Sequence, residues 1–203
     1  MKMNKGRLIV FSAPSGCGKG TMLAEILKNE RFRCSVSATT RSPREGELDG
    51  INYHFLTRED FERHIAAGEF LEYAEYCKNF YGTLVSEVDS YLEKGINVIL
   101  EIEVQGAMKI KQKRPDAIFV FIAPPSIGEL TRRLRKRGTE SDEVIAERVS
   151  QAAGEIAMAE KYDYVIVNDA LEDAVSDFFA VIRAEELKAV CSGEIINEVL
   201  KNA

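Results

Sequence analysis

Four short runs of apolar residues punctuate the chain, at Arg7–Phe11, Ile96–Leu100, Ile118–Ile122 and Tyr164–Val167. Apolar side chains at successive positions leave neither face of a strand for water, so these runs predict strands covered on both sides within a parallel sheet. Between them, apolar residues recur at helical spacing: Met22, Leu23, Ile26 and Leu27; then Leu84, Val85, Val88, Tyr91 and Leu92, closed by Gly95; and Ala174, Val175, Phe178, Phe179 and Ile182. Strand and helix alternating in this way predict a doubly wound α/β fold, a parallel sheet flanked by helices.

Two stretches break the rhythm. From about Cys34 to Tyr81, short alternating pieces (Cys34–Ser37, Asn52–Phe55, Phe70–Ala74) surround one helix that Thr57 is placed to cap, which predicts a small inserted α+β unit. After the Pro124-Pro125 stop, residues from about Ser126 to Ala157 are helical in pattern and dense in arginine, with a break at Gly138–Asp142; this segment reads as a mobile helical lid.

The strongest chemical signal follows the first strand. Ser12-Ala13-Pro14-Ser15-Gly16-Cys17-Gly18-Lys19-Gly20-Thr21 joins that strand to a helical pattern. A strand, a glycine-rich loop and a helix in this order aim backbone N–H groups, a positive helix N-terminus and the Lys19 ammonium at one polyphosphate. The chain is therefore expected to carry a P-loop core. Ala13 stands where the Walker A pattern has its first glycine, and Gly20 stands at the Ser/Thr position, with the hydroxyl one residue later at Thr21. Gly18-Lys19-Gly20-Thr21 thus resembles the nucleoside-monophosphate kinases. A dinucleotide fingerprint fails on spacing, because Thr21 occupies its third glycine position.

Charge narrows the possible partners. Twenty-seven Lys+Arg against thirty-three Asp+Glu give a formal charge of −6, which argues against a protein that neutralises a nucleic-acid backbone. Cys17, Cys34, Cys77 and Cys191 form no C-x-x-C pair and are joined by only two histidines, His54 and His64, so neither a zinc site nor a disulfide framework is expected. The first apolar run is too short for a signal or membrane segment, and the expectation is a soluble cytoplasmic protein.

Two arginine groups stand out against the acidic total. Arg41 and Arg44 flank Pro43 in a rigid turn and are suited to holding one phosphate dianion. Arg132, Arg133, Arg135, Lys136 and Arg137 crowd the lid segment without the interleaved aromatic residues of a nucleic-acid surface.

Taken together, Ser37 to Glu47 (Ser-x-x-Thr-Arg-x-Pro-Arg-x-Gly-Glu), Tyr53, Glu72, Asn79-Phe80-Tyr81-Gly82-Thr83, Glu101-Ile102-Glu103-Val104-Gln105-Gly106, Ala123-Pro124-Pro125-Ser126, Arg137-Gly138-Thr139-Glu140 and Val167-Asn168-Asp169 resemble bacterial guanylate kinases from about Leu8 to Arg183. The resemblance implies transfer of a phosphoryl group from ATP to GMP with Mg²⁺. It implies a core with the phosphate loop at 1–36, a GMP-binding unit at 37–83, core at 84–125, a lid at 126–157 and core with C-terminal helices at 158–203.

Carried over position by position, it puts ATP against Ala13 to Thr21, Arg137 and Asn168. The GMP phosphate falls to Arg41, Arg44, Tyr53 and Tyr81, and the base to Ser37, Glu72 and Thr83. Arg133, Arg137 and Arg148 would close over the phosphates, with Lys19, Arg41 and Arg44 completing the catalytic set. Glu101 and Glu103 stand where the family often has aspartate; Glu101 would meet the Mg²⁺ shell through water, and Glu103 would lie nearer guanine. A kinase for another monophosphate and a non-catalytic protein-binding relative remain as alternatives, and self-association is left open.

Overall fold

A computed structural model describes residues 5–138, 141–189 and 193–201. In chain order the elements are β1 (Leu8–Ser12), α1 (Lys19–Ile26), β2 (Phe32–Cys34), β3 (Ala38–Thr39), β4 (His54–Phe55), α2 (Arg58–Ala66), β5 (Phe70–Tyr76), β6 (Asn79–Leu84) and α3 (Val85–Glu93). There follow β7 (Asn97–Glu101), α4 (Val104–Lys113), β8 (Ile118–Ala123), α5 (Ile127–Arg137), α6 (Asp142–Ala157), a 3₁₀ turn at Ala159–Lys161, β9 (Tyr164–Val167), α7 (Leu171–Glu186) and α8 (Gly193–Lys201).

Five strands form a parallel sheet in the order β2-β7-β1-β8-β9. Alternate residues of the apolar runs point to opposite faces. Leu8, Val10, Val98, Leu100, Phe119 and Phe121 pack with Val88, Leu92 and Ile110 of α3 and α4. Ile9, Phe11, Ile99, Ile118, Val120 and Ile122 pack with Met22, Ile26, Phe178 and Ile182 of α1 and α7. Helices on both faces are the reason the strands are apolar at consecutive positions.

A second sheet has the order β4-β3-β6-β5. Its own small core is Ala38, Phe61 and Phe70, with the Phe61 ring stacked 4.3 Å from Phe70 and 5.3 Å from Phe80. Thr57 caps α2, its hydroxyl accepting from the Asp60 N–H. The expected strand piece Cys34–Ser37 divides differently: Phe32–Cys34 joins the main sheet beside β7, and the second sheet begins only at Ala38. Phe32 draws β2 inward, packing on Phe178 and Phe179. β6 pairs antiparallel with β5 through a tight turn in which Cys77 and Lys78 both have positive φ, 48° and 64°. That turn normally takes Asn or Gly, so its residue types do not announce it.

The arginine-rich segment forms α5, capped by Ser126 and ended by left-handed Gly138, and α6, capped by Ser141. Leu130, Leu134, Ile145 and Ala152 of these helices pack around Cys17 of the loop after β1. Thr139 and Glu140 of the expected break, and Cys191, lie outside the described residues. Among the described residues no helix is long and apolar enough to cross a membrane.

Candidate active site

The loop after β1 is shaped by its glycines. Gly16 and Gly18 have φ of 94° and 80°, and a Cβ on either would lie 2.8 Å from Leu134 Cδ2 or 2.7 Å from Asn168 Nδ2. Both positions therefore need glycine for conformation and for space. Gly20 differs, since a Cβ there meets nothing within 4 Å. The loop is braced from β9: Asn168 Nδ2 donates to the Cys17 carbonyl at 2.7 Å, and its own N–H donates to Ala123.

Cys17 is fully buried, and burial pushes its thiol up to about 12 despite Arg133 and Lys19 nearby. It is packing material for the helices α5 and α6, not a nucleophile. In the native protein iodoacetamide should label exposed Cys77 and spare Cys17 until the chain is unfolded. Peptide mass spectrometry reads this, and rapid native labelling of Cys17 would contradict the packing.

Lys19 opens α1, and its ammonium lies 3.4 Å from Glu101 at the end of β7. Two cavities meet here. One, of about 640 Å³, is bordered by Ala13 to Gly16, Lys19, Tyr76, Glu103, Arg148 and Glu155. The other, of about 450 Å³, is bordered by Lys19, Ser37, Asn52, Tyr53, Thr83, Glu101 and Glu103. Lys19 and Glu103 belong to both. A larger cavity of about 860 Å³ lies at the other end of the strands, where Arg114 pairs with Asp116 and Asp89 and Lys188 pairs with Glu185. Those charges are met within the chain.

In the second sheet the Arg41 guanidinium lies over the Tyr53 ring at 5.4 Å, and Tyr53 meets Tyr81 edge to face at 6.1 Å between centroids. Arg44 is exposed on the same turn. Glu72 and Thr83 face each other across β5 and β6, and the Thr83 hydroxyl donates to the Glu72 carboxylate at 2.9 Å. Burial raises the Glu72 pKa, against the opposing pull of Thr83, Lys109 and Lys113. Gly82 permits this close pairing, because a Cβ there would lie 2.8 Å from the Glu72 carbonyl oxygen. Cys34 borders the cavity with its thiol pushed up to about 11 by burial and by Glu101.

The arginines of α5 and α6 separate. Arg148 of α6 donates to the Ser15 hydroxyl at 2.6 Å and borders the cavity that contains Lys19. Arg133 of α5 turns the other way, donating to Glu129 at 2.7 Å and to the Asn168 carbonyl at 2.8 Å. It shares a cavity with Thr21, Arg132, Lys136 and Asp169, not with Lys19. Arg133 and Arg148 thus border different cavities beside the same loop, and Glu129, one turn earlier, holds the Arg133 guanidinium. Glu129 itself is held down to about 2 by Arg132 and Arg133. Arg137 ends α5, with its side chain outside the described residues.

From the sequence alone no role fell to Glu47, Glu129, Glu155 or Tyr76. Glu129 had a signal, its spacing of three and four from Arg132 and Arg133 on one helix face. Glu155 had none; α6 brings it toward Lys19 and Glu103, where burial and Glu103 raise its pKa while Lys19 lowers it.

A glycine-bent loop leading into a lysine-bearing helix at the C-terminal edge of a parallel sheet, with a second cavity beside it, defines a P-loop phosphotransferase. The family model described as guanylate kinase matches residues 5–185, and the chain belongs to that family. Guanylate kinase of Clostridium perfringens (strain SM101 / Type A) is 51% identical over 188 residues, 92% of this chain and 87% of the relative. That of Streptococcus pneumoniae (strain ATCC BAA-255 / R6) is 53% identical over 184 residues, 90% of this chain and 88% of the relative. The crystal structure of guanylate kinase from Anaplasma phagocytophilum superposes with a TM-score of 0.68 at 36% identity, covering 92% of this chain and 89% of that one.

Proposed function

We propose that the chain transfers the γ-phosphoryl group of ATP to GMP, giving ADP and GDP, with the triphosphate in the cavity of the loop and lid and GMP in the cavity of the second sheet. The observation that carries this arrangement is the meeting of the two cavities at Lys19 and Glu103. Donor and acceptor phosphates placed on either side of Lys19 face each other for in-line displacement.

A phosphate oxygen of GMP attacks the γ-phosphorus as the bond to the β,γ-bridging oxygen breaks, and ADP leaves with the electron pair. The attacking oxygen is already anionic, so no general base is needed and the protein's work is positioning and charge neutralisation. Backbone N–H groups from Ala13 to Thr21 hold the ATP phosphates, and Lys19 follows the charge that moves onto the β,γ-bridge. Arg148 approaches from the lid beside Ser15, and Arg137 belongs with it by its place in the family motif. Arg133 and Asn168 act from the Thr21 side, Asn168 by bracing the loop through Cys17.

Arg41, Arg44, Tyr53 and Tyr81 hold the GMP phosphate. Glu72 accepts from guanine N1–H and the N2 amine, Thr83 orients Glu72, and Thr83 and Ser37 border the cavity. Glu101 and Glu103 offer hard carboxylate oxygens beside Lys19, and among the described residues no three His, Cys, Asp or Glu side chains are grouped so as to hold a metal ion by themselves. That donor set fits Mg²⁺, which keeps several waters and takes its other ligands from nucleotide phosphates. When bound it supplies charge neutralisation at the ATP oxygens.

Arg41→Ala and Arg44→Ala should each raise KM for GMP by about tenfold or more while the ATP Kd stays within about twofold, since a charge-assisted hydrogen bond is worth roughly 1.5–3 kcal/mol. Steady-state kinetics with ATP titration calorimetry reads both. An ATP Kd that rises as far as the GMP KM would sink the division into two cavities.

A further inference from the structure

The Arg41–Arg44 turn is organised by a residue that would touch neither nucleotide. One oxygen of Glu47 accepts from Arg41 Nη2 at 2.9 Å, and the other accepts from the Arg44 backbone N–H at 2.7 Å. Arg41 Nη1 donates to the Ser42 carbonyl at 2.7 Å, so the guanidinium is held on two sides while its plane lies over Tyr53. Both side chains of the pair are largely buried, with 17% and 19% exposure, so they are less screened than a surface ion pair.

We propose that Glu47 is a positioning residue for the acceptor phosphate: it sets the Arg41 guanidinium and the Arg44 backbone in one geometry before GMP arrives. The inference rests on the reading of Arg41 and Arg44 as the phosphate site. An arginine on an open turn loses rotamer freedom when it grips a phosphate. A carboxylate that fixes it beforehand removes much of that cost, as partners behind a binding group do elsewhere. The clamp uses both carboxylate oxygens at once. Glutamine keeps the shape but has one acceptor oxygen, and its NH₂ would face a donor at the other position. Acidity agrees with the geometry: the hydrogen bond from Arg41, then that from Arg44, holds the Glu47 carboxyl below its ordinary range.

The test compares Glu47→Gln, Arg41→Ala and the double variant in the full chain, with GMP and ATP titrated separately and thermal unfolding recorded. Glu47→Gln is expected to raise KM for GMP about tenfold, the scale of one hydrogen bond lost at the phosphate. Its kcat and its KM for ATP should stay within about twofold, a split that general loss of structure would not produce. Glu47→Asp, which retains both oxygens on a shorter stem, should recover part of the loss. In the Arg41→Ala background the Glu47→Gln effect should shrink, because part of it acts through Arg41. An unchanged KM for GMP in Glu47→Gln, or full additivity in the double variant, overturns the positioning role while Arg41→Ala still supports the phosphate site. An unchanged KM for GMP in Arg41→Ala overturns the site reading and this inference together.

Discussion

Glu72→Gln lowers kcat/KM for GMP by roughly a hundredfold and leaves the low activity toward AMP nearly unchanged. Guanine presents N1–H and an exocyclic amine side by side, two donors that one carboxylate accepts together. Adenine presents an acceptor at N1 and no amine at C2. A half-buried carboxylate facing adenine would keep Thr83 but find no donors on the base, and discrimination of this kind reaches roughly 10⁴-fold, far beyond what a missing methylene gives. Glutamine fits the same space and still accepts from Thr83 through its oxygen, but its NH₂ then meets guanine's own donors. The fold should survive, so the change falls on the GMP/AMP ratio. An unchanged ratio would mean that guanine is read elsewhere, with Glu103 the next candidate.

The same residue predicts a pH effect. Burial raises the Glu72 pKa, so on acidification it takes up its proton at a higher pH than a solvent carboxylate does. The protonated group no longer accepts from both donors, and GMP affinity is lost as pH falls through that value. The GMP phosphate titrates near pH 6 as well, but equally in wild type and variant. The acid limb present in wild type and absent in Glu72→Gln belongs to Glu72.

Lys19→Ala lowers kcat by about 10²–10³-fold, the range seen when one preorganised charge-stabilising donor is removed. Its ammonium stands where the two cavities meet, so it acts on charge that grows as the β,γ-bridge breaks. An interaction made mainly in the transition state appears in kcat more than in ground-state binding. GMP affinity, measured by calorimetry, should change little. Equal losses in kcat and GMP affinity would assign Lys19 to ground-state binding instead.

Much of the fold was legible in the chain because its physics is local. Strands covered on both faces must be apolar at consecutive positions, as β1 and β8 are; Tyr164–Val167 has the expected bounds, but as the edge strand β9 it leaves Val165 and Val167 exposed, so two-sided burial is not met there. The glycine-rich loop was legible because only a few residue types permit a backbone that turns at positive φ against Asn168 and Leu134. β2 was missed because three residues carry too little pattern, and its place depends on Phe32 reaching Phe178 and Phe179. β5 was legible as Phe70–Ala74, but its turn into β6 was not, because Cys77 and Lys78 take positive φ without the usual residue types. Side-chain grouping was the least legible. The separation of Arg133 from Arg148, and the arrival of Glu155 near Lys19, follow from how α5 and α6 pack on the loop, which no spacing within either helix encodes.

The proposed function requires that ATP and GMP, rather than another monophosphate, meet on either side of Lys19. Coupled ADP release from wild-type protein with ATP and Mg²⁺, using GMP, AMP, dTMP and UMP in turn, tests it most directly. The expected kcat/KM for GMP exceeds the other three by orders of magnitude, up to roughly 10⁴-fold over AMP. Comparable turnover of AMP and GMP, or no GMP-dependent ADP release, would contradict it.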